Sequence, residues 1–201
     1  MKVTSESQLR ELYGFPSGRA AKKSLLSLDP HAKNFIAMSP FMVIATINTK
    51  GKMDNSPRGG KPGFVQVLDD NHIIIPDSKG NNRLDSLVNI VENSRVGLFF
   101  MLPGIDETLR INGSAEIRTD QDLLNRFSDE KNLPKSILVI EVEEMFLHCA
   151  KALMRSKLWS PEAKIARDEF PTMGRMLKDQ LHGPEEIESH DDMIKRYQKD
   201  L

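Results

Sequence analysis

The sequence predicts a mainly β protein with flanking helices, built as an antiparallel barrel and not as a doubly wound parallel sheet. Three observations carry this. Short apolar runs rich in β-branched residues recur through the middle of the chain, at 41–47, 64–68, 72–75, 96–102, 108–117 and 137–142. Tight-turn signals separate several of them: Asn48-Thr-Lys-Gly51, Asp69-Asp70-Asn71 and Pro103-Gly104. Regular strand–helix–strand alternation, which a parallel sheet needs for its crossovers, is missing.

The elements follow in order. Residues 7–13 place Leu9, Leu12 and Tyr13 on one helical face. Asp29-Pro30 is a helix-start signal, with Pro30 at the first helical position; the helix carries Phe35, Ile36 and Met38 and breaks at Ser39-Pro40. The run 41–47 is a buried strand, and 53–58 reads as the strand returning from it, with Pro57 implying a sheet edge or a break in the ladder. A glycine-rich loop, 59–63, leads to strands at 64–68 and 72–75, and Pro76-Asp77 ends the second. A helix over 83–92 directs Leu84, Leu87, Val88 and Val91 inward. Strands follow at 96–102 and 108–117, and Thr119-Asp120 caps a short helix through Phe127. The strand 137–142 comes next, and 146–158 is read as extended and then helical. Beyond Pro161 the chain turns polar, with 185–199 a surface helix or loosely held tail. The expected organisation is one domain: residues 1–165 form the barrel with its helical lead-in, and 166–201 a helical tail of the same domain.

Composition narrows the function. With 28 Lys and Arg against 29 Asp and Glu, the net charge of −1 points to neither nucleic acid nor an anionic membrane, so any anion site is local. The longest apolar run, 41–47, is too short to span a bilayer. The opening MKVTSESQLRELYG has no apolar stretch of the secretory kind, and one cysteine forms no intrachain disulfide; a cytoplasmic setting is expected. His148-Cys149 makes a weak catalytic pair, since adjacent strand residues point to opposite faces, and Cys149 is expected to be structural and buried, the usual state of a lone cysteine. The five histidines show no zinc spacing, no Gly-x-Ser-x-Gly elbow is present, and the ten methionines read as core filler.

Three segments can carry chemistry. Ser56-Pro57-Arg58-Gly59-Gly60 sets a guanidinium beside a glycine pair at a strand end, which suits phosphate; a turn with a solvated Arg fits the same spacing. In Pro76-Asp77-Ser78-Lys79-Gly80-Asn81-Asn82-Arg83-Leu84-Asp85-Ser86 a polar loop runs into a helix with Arg83 and Ser86 in its first turn. That welcomes an anion, although ordinary capping with Arg83 paired to Asp85 or Glu107 fits too. The third is His148-Cys149-Ala150-Lys151-Ala152-Leu153-Met154-Arg155-Ser156-Lys157-Leu158-Trp159. It places Lys151 and Arg155 on one helical face near the only tryptophan, which fits a flat anionic cofactor or a surface helix with a core-anchoring Trp.

Taken together, residues 35–165, and above all SPFMVIATINTKGKMDNSPRGGKPGF through LRINGSAEI and then HCAKALMRSKLW, resemble a bacterial subgroup of the pyridoxamine 5′-phosphate oxidase-like, FMN-dependent proteins. The resemblance implies a split β-barrel of Greek-key-like antiparallel strands, and a homodimer with FMN in the groove between subunits. It places Arg58 with Asn81, Arg83 and Ser86 around the FMN phosphate, and Pro76 and Asp77 at the flavin ring. Glu107 and Thr108 line the ring from the other subunit, and Lys151, Arg155 and Trp159 close the site. The implied activity is an FMN-dependent oxidoreductase acting on a small molecule by hydride transfer. The alternative is a non-catalytic carrier of flavin, deazaflavin or haem, the last with His72 or His148 as axial ligand. The chain departs from the subgroup at Gly60, where an acid is expected, at Asn82, where a second Arg is expected, and at Ser78-Lys79, where Arg-Pro is expected. It also lacks the C-terminal Arg-x-His of the vitamin B6 oxidases. No catalytic side chain and no metal site is assigned.

Overall fold

Seven strands pair antiparallel in one sheet of the computed structural model, which describes residues 2–128, 132–182 and 188–199. They are β1 (Phe41–Ile47), β2 (Met53–Gly59), β3 (Gln66–Val67), β4 (His72–Pro76), β5 (Arg95–Met101), β6 (Thr108–Arg118) and β7 (Ile137–His148). The spatial order is β2-β1-β5-β6-β7-β4-β3, so the chain leaves one sheet edge after β2 and re-enters at the other with β3. The sheet curls: Ile73 and Ile75 of β4 share one buried core with Met42 and Ile44 of β1 and with Leu98 and Phe100 of β5. This is the antiparallel barrel with flanking helices that the sequence predicts.

Helices α1 (Glu6–Tyr13), α2 (Arg19–Lys22) and α3 (Pro30–Met38) lead in. The Asp29 side chain caps α3 by accepting from the Ala32 N–H at 2.7 Å, with Pro30 in the first turn as expected. Ala32, Phe35 and Ile36 of that helix reach the core. By contrast α1 forms where expected yet buries nothing: Leu9, Leu12 and Tyr13 stay exposed. Between α2 and α3 the chain adds an antiparallel bridge to the sheet, as Leu25 and Met145 exchange backbone hydrogen bonds of 2.9 and 2.8 Å.

Four expectations need correction. The run 64–68 shrinks to the two-residue β3: Phe64 N–H closes a turn on the Lys61 carbonyl at 2.9 Å, and only Gln66 and Val67 pair with β4. Strand β7 extends past Val142 to His148. Its acidic residues lie on the outer side while Val142 and Met145 stay in the core, and a bulge near Gly113 absorbs the change of register. Helix α4 (Asp85–Glu92) begins two residues later than expected and turns the other way. It buries Ser86, Asn89 and Ile90, leaves Leu84, Val88 and Val91 exposed, and of the expected inward set only Leu87 packs on the core. The cause lies beneath it, where Asn89 Nδ2 donates to Thr46 Oγ1 at 3.0 Å and Ser86 Oγ to Asp54 Oδ2 at 2.6 Å. Cys149, lastly, is exposed.

The short helix after β6, α5 (Gln121–Asn125), has Asp120 at its N-cap, but the Asp120 carboxylate is taken by Arg118 and caps nothing. Past β7 come α6 (Lys151–Ser156), two 3-10 turns (Pro161–Ala163 and Arg167–Glu169), α7 (Met173–Leu181) and α8 (His190–Tyr197). Helix α7 falls within the expected helical tail 166–201, although its bounds were not read from the sequence. Helix α8 falls within the expected 185–199, of which residues 185–187 lie outside the described residues. No helix among the described residues is long and apolar enough to cross a membrane.

Gly113 sits at the bulge with its Cα hydrogens against the Glu141 carbonyl oxygen, where a Cβ would collide with backbone. Gly113→Ala is therefore expected to destabilise the fold by about 2–4 kcal/mol, since backbone must shift to admit the methyl group. A lower urea midpoint at unchanged m-value is the outcome that checks it.

Candidate functional site

On the edge strand β2 the residues facing the barrel interior are polar. Asp54, Ser56 and Arg58 stand opposite Thr46, Ile44 and Met42 of β1. Arg58 is half-buried; Nη1 donates to Ser56 Oγ and to the Pro57 carbonyl at 3.0 Å, and Nη2 reaches Ser86 Oγ at 3.5 Å. Burial pulls the Arg58 pKa down from its ordinary value, while the Asp77 and Asp54 carboxylates act to raise it. Asp77, at the end of β4, is pushed up by its own burial, against the pull of Arg58 and Lys135. Arg58 thus lies within the electrostatic influence of both carboxylates, and Asp54 is tied to the start of α4 through Ser86.

That helix start is unusual. Its N-cap is Leu84, held in the left-handed region at φ 59°, and no side chain caps it, so the first-turn N–H groups have no side-chain acceptor. A branched residue there costs roughly 1–2 kcal/mol, the kind of local strain that clusters at functional segments. Arg83 precedes the helix and does not sit in its first turn, which corrects the sequence reading. Its backbone N–H bonds Asn81 Oδ1 at 3.1 Å and its exposed guanidinium lies on Asp85 at 2.8 Å. Among the expected phosphate ligands, Arg58 and Ser86 are therefore brought together, with Asp77 in reach. Arg83 stands at the rim, within the influence of Asp54. Pro76 is buried beside them, paired with Ile137.

Gly60 explains one departure from the subgroup pattern. A Cβ at this position would come within 2.7 Å of Phe64 Cβ, so Phe64 fills the space an acid would need.

The remaining expected residues gather elsewhere. Trp159 Nε1 donates to the Ile105 carbonyl at 2.9 Å and pins the segment after α6 to the loop between β5 and β6. Glu107 in that loop is exposed, as are Lys151 and Arg155 on α6. Thr108 is buried, and its Oγ1 has no hydrogen-bond partner; nor has Nδ1 of His148, its cross-strand neighbour. Among the described residues, no hydrogen bond or ion pair joins this group to the Arg58 group. His72 holds Asp69 at 3.0 Å in an exposed turn, so its Nδ1 is already engaged.

Sequence reasoning missed a groove of about 360 Å³ on the outer face of the sheet, between β2 and β6, whose lining includes Val43, Ala45, Phe99, Arg110, Asn112 and His148. The groove exists because Ala45 and Gly97, cross-strand partners on β1 and β5, carry almost no side chain. Its signal was present in the sequence: β1 and β5 are apolar on both faces, the pattern of strands covered on both sides.

The family model described as pyridoxamine 5′-phosphate oxidase matches residues 28–149. No curated protein matches the chain by sequence. Among solved structures, HupZ from Group A Streptococcus is 22% identical at a TM-score of 0.50, covering 60% of this chain and 93% of its own. A histidine-to-alanine variant of the same protein is 21% identical at 0.51, covering 60% of this chain and 98% of its own. An FMN-binding protein from Syntrophomonas wolfei is 12% identical at 0.45, covering 58% of this chain and 80% of its own. The curled seven-stranded sheet is thus the split β-barrel.

Replacing Trp159 by Phe keeps the ring and removes the bond to Ile105. The expected loss is about 1 kcal/mol of local stability, leaving residues 151–182 easier to cleave than the barrel. Limited proteolysis followed by mass mapping reads this directly; an unchanged cleavage pattern would show that the tail is held by other contacts.

Proposed function

This chain belongs to the pyridoxamine 5′-phosphate oxidase family, and on that premise we propose that it is an FMN-dependent oxidoreductase that works as a homodimer on a small molecule. One observation carries the proposal: a half-buried guanidinium, Arg58, converges with Ser86 Oγ on a helix start whose N–H groups no side chain caps. Forked cationic donor, hydroxyl and helix N-terminus are the donor set a phosphate monoester needs. Asp54 and Asp85 now hold the Ser86 and Arg83 donors, so a bound phosphate competes with two carboxylates.

Bound FMN supplies hydride transfer at its ring. The chain's own groups do the rest. Pro76 and Asp77 would bring backbone to the ring edge, and Thr108 would offer a buried hydroxyl that has no other partner among the described residues. Glu107, Lys151, Arg155 and Trp159 would close the far side. Among the described residues the Arg58 and Thr108 groups make no bond to each other, and in the proposed dimer the Thr108 group of one copy would complete the Arg58 site of the other. The outer sheet face supports this, since Phe41, Val43, Ile47 and Phe99 are apolar and lie opposite the core side of their strands. A reducing cytoplasm suits the exposed thiol of Cys149.

Two outcomes test the reading. Arg58→Ala is expected to weaken FMN binding about ten- to a hundredfold while riboflavin, lacking the phosphate, is held nearly as before. Arg83→Ala should do the same to a smaller extent, because that guanidinium is exposed and already paired. Equal losses for the two flavins, measured by fluorescence quenching, would move these arginines from the phosphate to the fold. Sedimentation of the FMN complex is expected to give twice the 22.7 kDa chain mass, and a stable monomer with bound FMN would refute the shared site. Oxidation of reduced nicotinamide by the loaded protein separates turnover from mere carriage.

A further inference from the structure

The outer face of the barrel is ordered in rows. Pairing register lines up Pro57, Val43, Phe99, Arg110 and Phe146 across five strands. The row on one side runs Asn55, Ala45, Gly97, Asn112 and Glu144; on the other side Met101, Thr108 and His148 continue from Phe41. The groove lies over the first two rows: its floor is flat where Ala45 and Gly97 lack bulk, and its apolar wall is Val43 and Phe99. Such a slot fits a planar, largely apolar body.

Its β6–β7 end is different in kind. Arg110 stacks on the Phe146 ring at 5.1 Å, and Lys23 lies over the same ring at 4.7 Å, anchored by its bond to the Leu147 carbonyl at 3.3 Å. Both cations therefore converge on one phenyl ring, and neither forms an ion pair among the described residues. His148 stands beside them with Nδ1 buried and unpartnered. Burial lowers its pKa, and the Lys23 and Arg110 charges lower it further. Of the carboxylates on this face, Glu144 accepts from Asn112 Nδ2 at 2.8 Å and Glu143 is paired with Arg95. A corner with two cations that form no ion pair among the described residues, beside a histidine that lines the groove, opens onto an apolar slot and has the polarity of a receptor for an anion carried on a flat body.

We infer that the corner formed by Lys23, Arg110 and His148 binds the carboxylate of a planar organic acid whose ring lies in the groove over Ala45 and Gly97. The inference rests on the flavin reading for its meaning, because Thr108, expected at the flavin ring, is the cross-strand neighbour of His148; the acid would then be the second substrate.

Calorimetric titration of the full chain with benzoate, and with benzamide as its neutral isostere, tests this with and without FMN. Benzoate is expected to bind and benzamide not. Arg110→Gln should weaken benzoate about tenfold, and Arg110→Lys should recover only part of the loss, since an ammonium keeps the charge but not the forked donor geometry. His148→Gln should weaken it by a smaller factor. Equal binding of benzoate and benzamide overturns the inference, as does benzoate affinity unchanged by Arg110→Gln. A change confined to the monomer–dimer balance also overturns it, assigning the cations to a second copy instead. The readout without FMN keeps this result separate from the flavin reading: a wild type that binds benzoate and refuses FMN upholds the corner and sinks the flavin reading.

Discussion

A guanidinium drawn halfway out of water must keep partners, and the inner side of β2 is organised by that requirement. Arg58 lies on an edge strand whose inner face also carries Asp54 and Ser56, so the barrel is closed there by polar groups in place of aliphatic ones. Whatever covers this stripe has to present donors and acceptors, because an unpaired charge at such a place costs several kcal/mol. Helix α4 covers it and turns Ser86 and Asn89 inward for that reason. Leu84, Val88 and Val91 are thereby left on the outside, and the entry to the helix bends through two left-handed residues, Asn82 and Leu84. The polar floor of Asp54, Thr46 and Arg58 thus goes together with the helix roll, the left-handed entry loop and an exposed apolar patch.

The opposite side of the sheet follows another logic. Strands β1 and β5 send apolar side chains both ways, and the outer set is punctuated by Ala45 and Gly97. Large residues would have made this face flat; small ones open a slot in it. Charge enters only at its β6–β7 end, where an aromatic ring gathers two cations from parts of the chain distant in sequence.

Much of this was legible in the sequence. The Asp29-Pro30 start of α3 and the strand Phe41–Ile47 were read with their bounds, and Pro57 marked β2 as an edge, because each signal is local. Arg58 and Ser86 were named, and the fold brings them together. What escaped depends on neighbours. The roll of α4 is set by Asp54 and Thr46, and no periodicity within residues 83–92 shows them. The same helical pattern that counted Leu84, Val88 and Val91 as inward is compatible with either roll until the floor is known. Asp54 and Ser56 were passed over because alternation on β2 reads as a solvated edge when its inner face is assumed to be apolar. The corner at Lys23 needed the bridge that ties Leu25 to Met145, a contact no local pattern encodes.

That bridge has a consequence for how the chain reaches and keeps its fold. Lys23 meets Leu147 across 124 positions, so this stretch of the lead-in closes a very long loop and is held by few bonds. Such a contact contributes little to the folding nucleus and is among the first to open in native-state fluctuations. While it is open, the upper half of β7 shows a free row of amide and carbonyl groups, because β4 pairs with it only as far as Glu141. An uncovered strand margin of this sort is a template for non-native association. The lead-in therefore serves as a guard as well as a scaffold, shielding β7 from other chains while carrying Lys23 to Phe146.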